Sequence, residues 1–143
     1  MTVITLPRQD GIVADPPKFA DINLPRVPQS VGGSRTWLAK TLAGWDVDSD
    51  TIDDAVLVLS EIATNAIVHN AGTDDTTVTA AWWHGHLRVT VSDPDLRVPV
   101  LGLADDEHGR GLAIVGELAT RWGTTKTRNG KITYFEMTSE ASR

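Results

Sequence analysis

The run Ala55-Val56-Leu57-Val58-Leu59-Ser60-Glu61-Ile62-Ala63-Thr64-Asn65-Ala66-Ile67-Val68-His69 holds ten apolar residues in fifteen, spread around most of a helical circumference. A helix that apolar is expected to be buried on more than one side. Projected at about 100° per residue, Ile52, Val56, Leu59 and Ala63 form one stripe. Glu61 and Asn65 lie nearly opposite it, four residues apart on one face and flanked by Leu57 and Val68. A carboxylate and an amide between apolar neighbours cost free energy unless something polar meets them, as a ligand or metal pocket would. The alternative is that Glu61, Asn65 and His69 form the solvated face of an amphipathic helix. Spacing alone leaves both open.

Working outward, the segment Asp46 to Thr51 supplies capping oxygens, and Asp53 and Asp54 place negative charge near the helix start, where the dipole favours it. This second helix should run to about Asn70, with Gly72 as its C-terminal cap. Upstream, Gln29 to Leu42 puts Val31, Trp37 or Leu38, and Leu42 at helical spacing, with Gly44 just past the end. Before it, Lys18 to Leu24 alternates weakly and stops at Pro25, which suits an edge strand. Downstream, Thr76 to Trp83 and His86 to Ser92 alternate as two strands joined tightly by His84-Gly85, with Trp82 and Trp83 facing opposite sides. A long loop from Asp93 to His108 leads to a third helix from Gly111 to Ala119. A last hairpin is marked by Asn129-Gly130. The pattern predicts an α/β (α+β) two-layer sandwich, with three helices on one face of a mixed, mostly antiparallel sheet. Residues 1–17 read as a flexible lead-in, 18–138 as the domain and 139–143 as a tail.

A chain of 143 residues suits one domain. It has no cysteine, which excludes thiol nucleophiles, thiolate metal centres and disulfides. A net charge of −6 is the wrong sign for gripping a phosphate backbone, so nucleic acid is not an expected partner. No apolar run is long enough to span a bilayer, and the N-terminus lacks the charged start and apolar stretch of a signal peptide. The expectation is a cytoplasmic protein with no membrane partner. Neither a Walker A pattern nor a G-x-S-x-G elbow is present, which argues against P-loop enzymes and serine hydrolases.

Two more positions carry chemistry. Asp93 stands where the second strand's alternation ends, placed to accept a hydrogen bond from an exocyclic amine; Asp93-Pro94-Asp95 also reads as ordinary turn chemistry. Gly109-Arg110-Gly111-Leu112 opens a helix, where backbone N–H groups can approach a phosphate, although many helices simply begin after glycine. Their order along the chain adds information. Ser60-Glu61-Ile62-Ala63-Thr64-Asn65-Ala66 with His69, then Asp93, then His108-Gly109-Arg110-Gly111-Leu112, resembles the GHKL (Bergerat-fold) ATP-binding domains, and among them the anti-sigma-factor serine kinases.

The resemblance extends from about Phe19 to Met137, and it implies a Bergerat-type sandwich binding ATP with Mg²⁺. Glu61 matches the general base that takes a proton from an attacking serine, and Asn65 the ligand to Mg²⁺. Asp93 matches the acceptor of the adenine amine. His108, Gly109, Arg110, Gly111 and Leu112 match the second glycine box at the phosphates, with Arg97 to His108 as the lid. The implied partners are a sigma factor and an anti-sigma-factor antagonist phosphorylated on serine, and the bare domains of this family form homodimers. One departure stands out: Pro94, Asp95 and Leu96 occupy the stretch where the wider family has glycines. This favours weak or conditional ATP binding. It also keeps open a second reading, a degenerate, non-catalytic module that sequesters a partner without phosphotransfer.

Overall fold

The computed structural model describes residues 8–9, 12–13, 15–69, 75–94, 113–128 and 130–139. Strands β1 (Arg8–Gln9) and β2 (Ile12–Val13) pair as a small antiparallel hairpin inside the lead-in. The main sheet has five strands, β3 (Lys18–Leu24), β4 (Thr76–Trp83), β5 (His86–Asp93), β6 (Arg121–Thr127) and β7 (Gly130–Thr138), in the order β3-β4-β5-β7-β6. Every adjacent pair is antiparallel, so among the described residues the sheet contains no parallel pair. The reason lies in the connections. Hairpins join β4 to β5 and β6 to β7, and β7 inserts between β5 and β6, separating the two strands that share a direction.

The alternation read in the sequence sets the two faces. Val78, Ala80, Leu87, Val89, Val91, Phe135 and Met137 point inward and are buried, with Trp82 packed beside them. Helices α1 (Gln29–Gly44), α2 (Ser49–Thr64) and α3 (113–118) contribute Leu38, Leu42, Val58, Leu59 and Val115 to the same core. This is the two-layer α+β sandwich expected. β3 is an edge strand, and His84 and Gly85 form the β4–β5 turn with φ of 49° and 77°, the left-handed pair that a two-residue hairpin requires.

Three local expectations are corrected. Gly44 is the last residue of α1 and not its cap; Asp46 takes the left-handed position at φ 59°. Its N–H reaches the Ala43 carbonyl and that of Val47 reaches Leu42, so a Schellman closure is made by an aspartate, which tolerates this conformation. Gly130, read as half of a turn, is the first residue of β7 and pairs with Thr127 of β6. Finally, α2 is buried on one broad side only. Ala55, Val58, Leu59, Ile62, Ala63, Ala66 and Ile67 enter the core, Ile52 and Val56 are half-buried, and Leu57 and Val68 stay 43% and 49% exposed. The helix carries more apolar residues than the sheet and α1 can cover.

Asp48 caps α2: its carboxylate accepts from the Thr51 N–H and hydroxyl and from the Ser139 hydroxyl. Ser139, assigned to the tail by sequence, is therefore buried and anchored, its N–H also bonded to the Gly85 carbonyl. The Ser139 bond above all, with the Thr51 bonds adding to it against the opposing effect of burial, holds the Asp48 carboxyl below its ordinary 3.8. A carboxyl whose folded value lies below its unfolded one contributes stability above about pH 4, and that contribution is lost as pH falls through the folded value. Asp48→Ala is thus expected to cost about 1 kcal/mol at neutral pH and to flatten the acid limb of the stability curve. Urea denaturation at neutral pH and near pH 3 checks both.

Candidate functional site

The α-helical part of α2 ends at Thr64, and the chain continues as one π-helical turn, Asn65–His69. Single π turns inside helices recur at functional positions because they widen the helix and re-aim its groups. The Asn65 N–H still bonds to the Glu61 carbonyl, so Asn65 sits one α-turn beyond Glu61 on the same side. Both side chains are half-buried, and neither has a hydrogen-bond or ion-pair partner among the described residues. They are not an internally satisfied pair among the described residues. A carboxylate and an amide held this way are open to a cation, a hydroxyl or a phosphate-bound metal.

Asp93 ends β5, in register with Lys131 near the start of β7. Its carboxylate is only 2% exposed and is held from two directions. Arg26 Nη2 donates to Oδ1 at 2.9 Å, and Lys131 Nζ lies 3.3 Å from Oδ2, with both cationic side chains also buried. The other guanidinium nitrogen, Nη1, donates to the Ala66 carbonyl within the π turn. One arginine thus ties the π turn beside Asn65 to the strand end at Asp93, and it brings together two positions the sequence singled out separately. Burying three charges is costly, and the triad persists only because each charge is met. Asp93 occupies the strand end as read, and among the described residues two cations engage its carboxylate.

Gly130 explains how the β5 end is reached. A Cβ there would stand 2.0 Å from the Asp93 carbonyl oxygen and 2.7 Å from Pro94 Cα, so the backbones touch where any side chain would intrude. His108, Gly109, Arg110, Gly111 and Leu112 lie outside the described residues. Sequence reading missed Arg26 and Lys131. Lys131 left a signal, a lysine in phase with the inward residues Thr133, Phe135 and Met137. Arg26, in the irregular link between β3 and α1, left none.

Fold and site first define a class: a two-layer α+β domain whose central helix carries a carboxylate–amide pair with no partner among the described residues, and whose sheet ends one strand in a buried carboxylate. The chain belongs to the histidine kinase-like ATPase domain family, whose profile matches residues 24–137. Membership in an ATPase domain family implies ATP as the ligand of this fold. Among curated proteins it is 46% identical over 70 residues to the uncharacterized protein SCO4941 of Streptomyces coelicolor, covering 46% of this chain and 67% of that one.

Two solved structures share the fold. The RsbU and RsbW domains of Rv1364c from Mycobacterium tuberculosis align with a TM-score of 0.69 at 24% identity, over 87% of this chain and 33% of that one. The SiaB-SiaC complex from Pseudomonas aeruginosa aligns with a TM-score of 0.57 at 16% identity, over 82% and 86%. The chain therefore spans a third of the Rv1364c chain it matches. Among the described residues, no helix is long and apolar enough to cross a membrane.

Proposed function

We propose that this domain binds ATP with Mg²⁺ and is a protein serine kinase of the anti-sigma regulator type, binding a sigma factor and phosphorylating an antagonist protein. The observation that carries the reading is the Glu61–Asn65 pair, one turn apart, half-buried and without a partner among the described residues. In this reading Glu61 accepts the proton of the attacking serine hydroxyl. The serine oxygen forms its bond to the γ-phosphorus as the bond to ADP breaks. Asn65 would hold Mg²⁺, which supplies charge neutralisation across the phosphates. Among the described residues no group of three His, Asp or Glu side chains gathers to hold a metal. By the family resemblance, His108, Gly109, Arg110, Gly111 and Leu112 would serve the phosphates, Gly109 and Gly111 through their backbone amides. Homodimerisation belongs to the same proposal.

The first test is calorimetric titration of MgATP into the parent and Asn65→Ala. Saturable binding that weakens about tenfold or more in the variant is expected, the loss of one contact to a charged group. Absence of heat and of competition up to millimolar MgATP would overturn the nucleotide reading. Asp93→Ala is a poor probe, because it would leave Arg26 and Lys131 buried beside a missing carboxylate.

A second reading, a non-catalytic module that sequesters a partner, draws on the same triad. An aspartate engaged by two cations, followed by Pro94, Asp95 and Leu96, offers little to adenine. Stoichiometric phosphorylation of a partner on serine, lost in Glu61→Ala, would sink it.

A further inference from the structure

We infer that Arg26 is a positioning residue that competes with the adenine amine for Asp93, so that nucleotide binding requires Arg26 to let go. The inference rests on the proposed nucleotide reading and adds a residue to it. Asp93 is 2% exposed, and an exocyclic amine cannot reach its oxygens unless a neighbour gives way. Among the described residues, Arg26 and Lys131 hold it. Lys131 is fixed in register on β7, a strand paired on both sides, by its position opposite Asp93. Arg26 belongs to no helix or strand; it lies in the short link from Pro25 to Pro28 between β3 and α1. It is the partner able to move without breaking the sheet.

Two of the contacts Arg26 makes among the described residues have separate consequences. Its bond to Asp93 Oδ1 takes the acceptor that a base amine needs, and its bond to the Ala66 carbonyl braces the turn that presents Asn65. Release of the arginine would therefore alter the base end and the metal end of the site together. It would also connect both to the link that positions α1. Ser30 fastens that link from the helix side, its hydroxyl donating to the Pro25 carbonyl at 2.6 Å. A protein partner seated on this link would change ATP affinity, and ATP would change the partner's affinity by the same factor.

The test compares ATP with ITP, in which a carbonyl replaces the purine 6-amine, on the parent, Arg26→Met and Arg26→Lys. ITP has no amine to give Asp93, so only ATP gains when the competitor is removed. Arg26→Met is expected to raise the MgATP-to-MgITP affinity ratio about tenfold, the scale of one contact to a charged group, because loss of the brace on the Ala66 carbonyl acts on both nucleotides alike. Arg26→Lys should return the ATP-to-ITP ratio toward that of the parent. Parallel loss of both nucleotides in a folded variant, or an unchanged ratio, overturns the inference and leaves ATP binding standing. No binding of either nucleotide by any form ends the nucleotide reading and the inference with it. Should Arg26→Met fail to fold, the parent decides by NMR of its arginine guanidinium nitrogens. Saturating MgATP must shift the Arg26 signals, and unchanged signals overturn the proposal.

Discussion

Gly130→Ala is expected to destabilise the domain by about 3–5 kcal/mol, a fall in Tm on the order of 10 °C or more. The new Cβ would sit 2.0 Å from the Asp93 carbonyl oxygen, 2.7 Å from Pro94 Cα and 2.9 Å from the Pro94 carbonyl carbon. All three are backbone atoms, so no side-chain rotation relieves the clash. The end of β5 must separate from the start of β7. That separation would carry Asp93 away from Lys131, its partner in register, and expose a buried ion pair to partial loss. Gly33→Ala provides the contrast. A Cβ at Gly33, in the middle of α1, meets nothing within 4 Å, and removing a helical glycine should stabilise by about 0.5–1 kcal/mol. Thermal and urea denaturation of the two variants checks the pair. A Gly130→Ala protein as stable as the parent would mean that the two strand ends do not approach as described.

Glu61→Gln should slow γ-phosphoryl transfer to the antagonist's serine about 10²–10⁴-fold, the usual worth of a positioned general base, with MgATP affinity changed only a few-fold. The substitution keeps the shape of the side chain and one acceptor oxygen while removing its negative charge and its ability to take a proton. Glu61 is half-buried on α2 and makes no ion pair among the described residues, so the fold should tolerate the change. Single-turnover transfer from labelled ATP gives the rate, and calorimetry gives the affinity. Transfer at the parental rate would remove Glu61 from the mechanism. Loss of affinity in step with rate would assign it to binding.

Much of this domain was legible before any coordinates. Capping at Asp48, the hairpin at His84 and Gly85, the edge strand Lys18–Leu24 and the inward alternation of β4 and β5 are local matters, governed by residues within a turn or two of one another. The Glu61–Asn65 pair belongs with them, since a four-residue separation on a helix fixes its own geometry. The Schellman closure at Asp46 shows the boundary. Glycine is the familiar mark of that position and Gly44 stands close to it, yet the geometry is met two residues later by an aspartate.

By itself, then, the sequence determined the layers, the phases of the strands and a carboxylate and amide sharing one helix face. Only the tertiary structure decided what Asp93 meets. Arg26 lies 67 residues before it in the chain and Lys131 sits on another strand, and no periodicity connects them. Which cations converge on a buried carboxylate depends on the order in which strands pair and on how closely Gly130 lets two backbones approach. Desolvation then makes that convergence obligatory, because a charge taken out of water must find its partner wherever the fold has placed one.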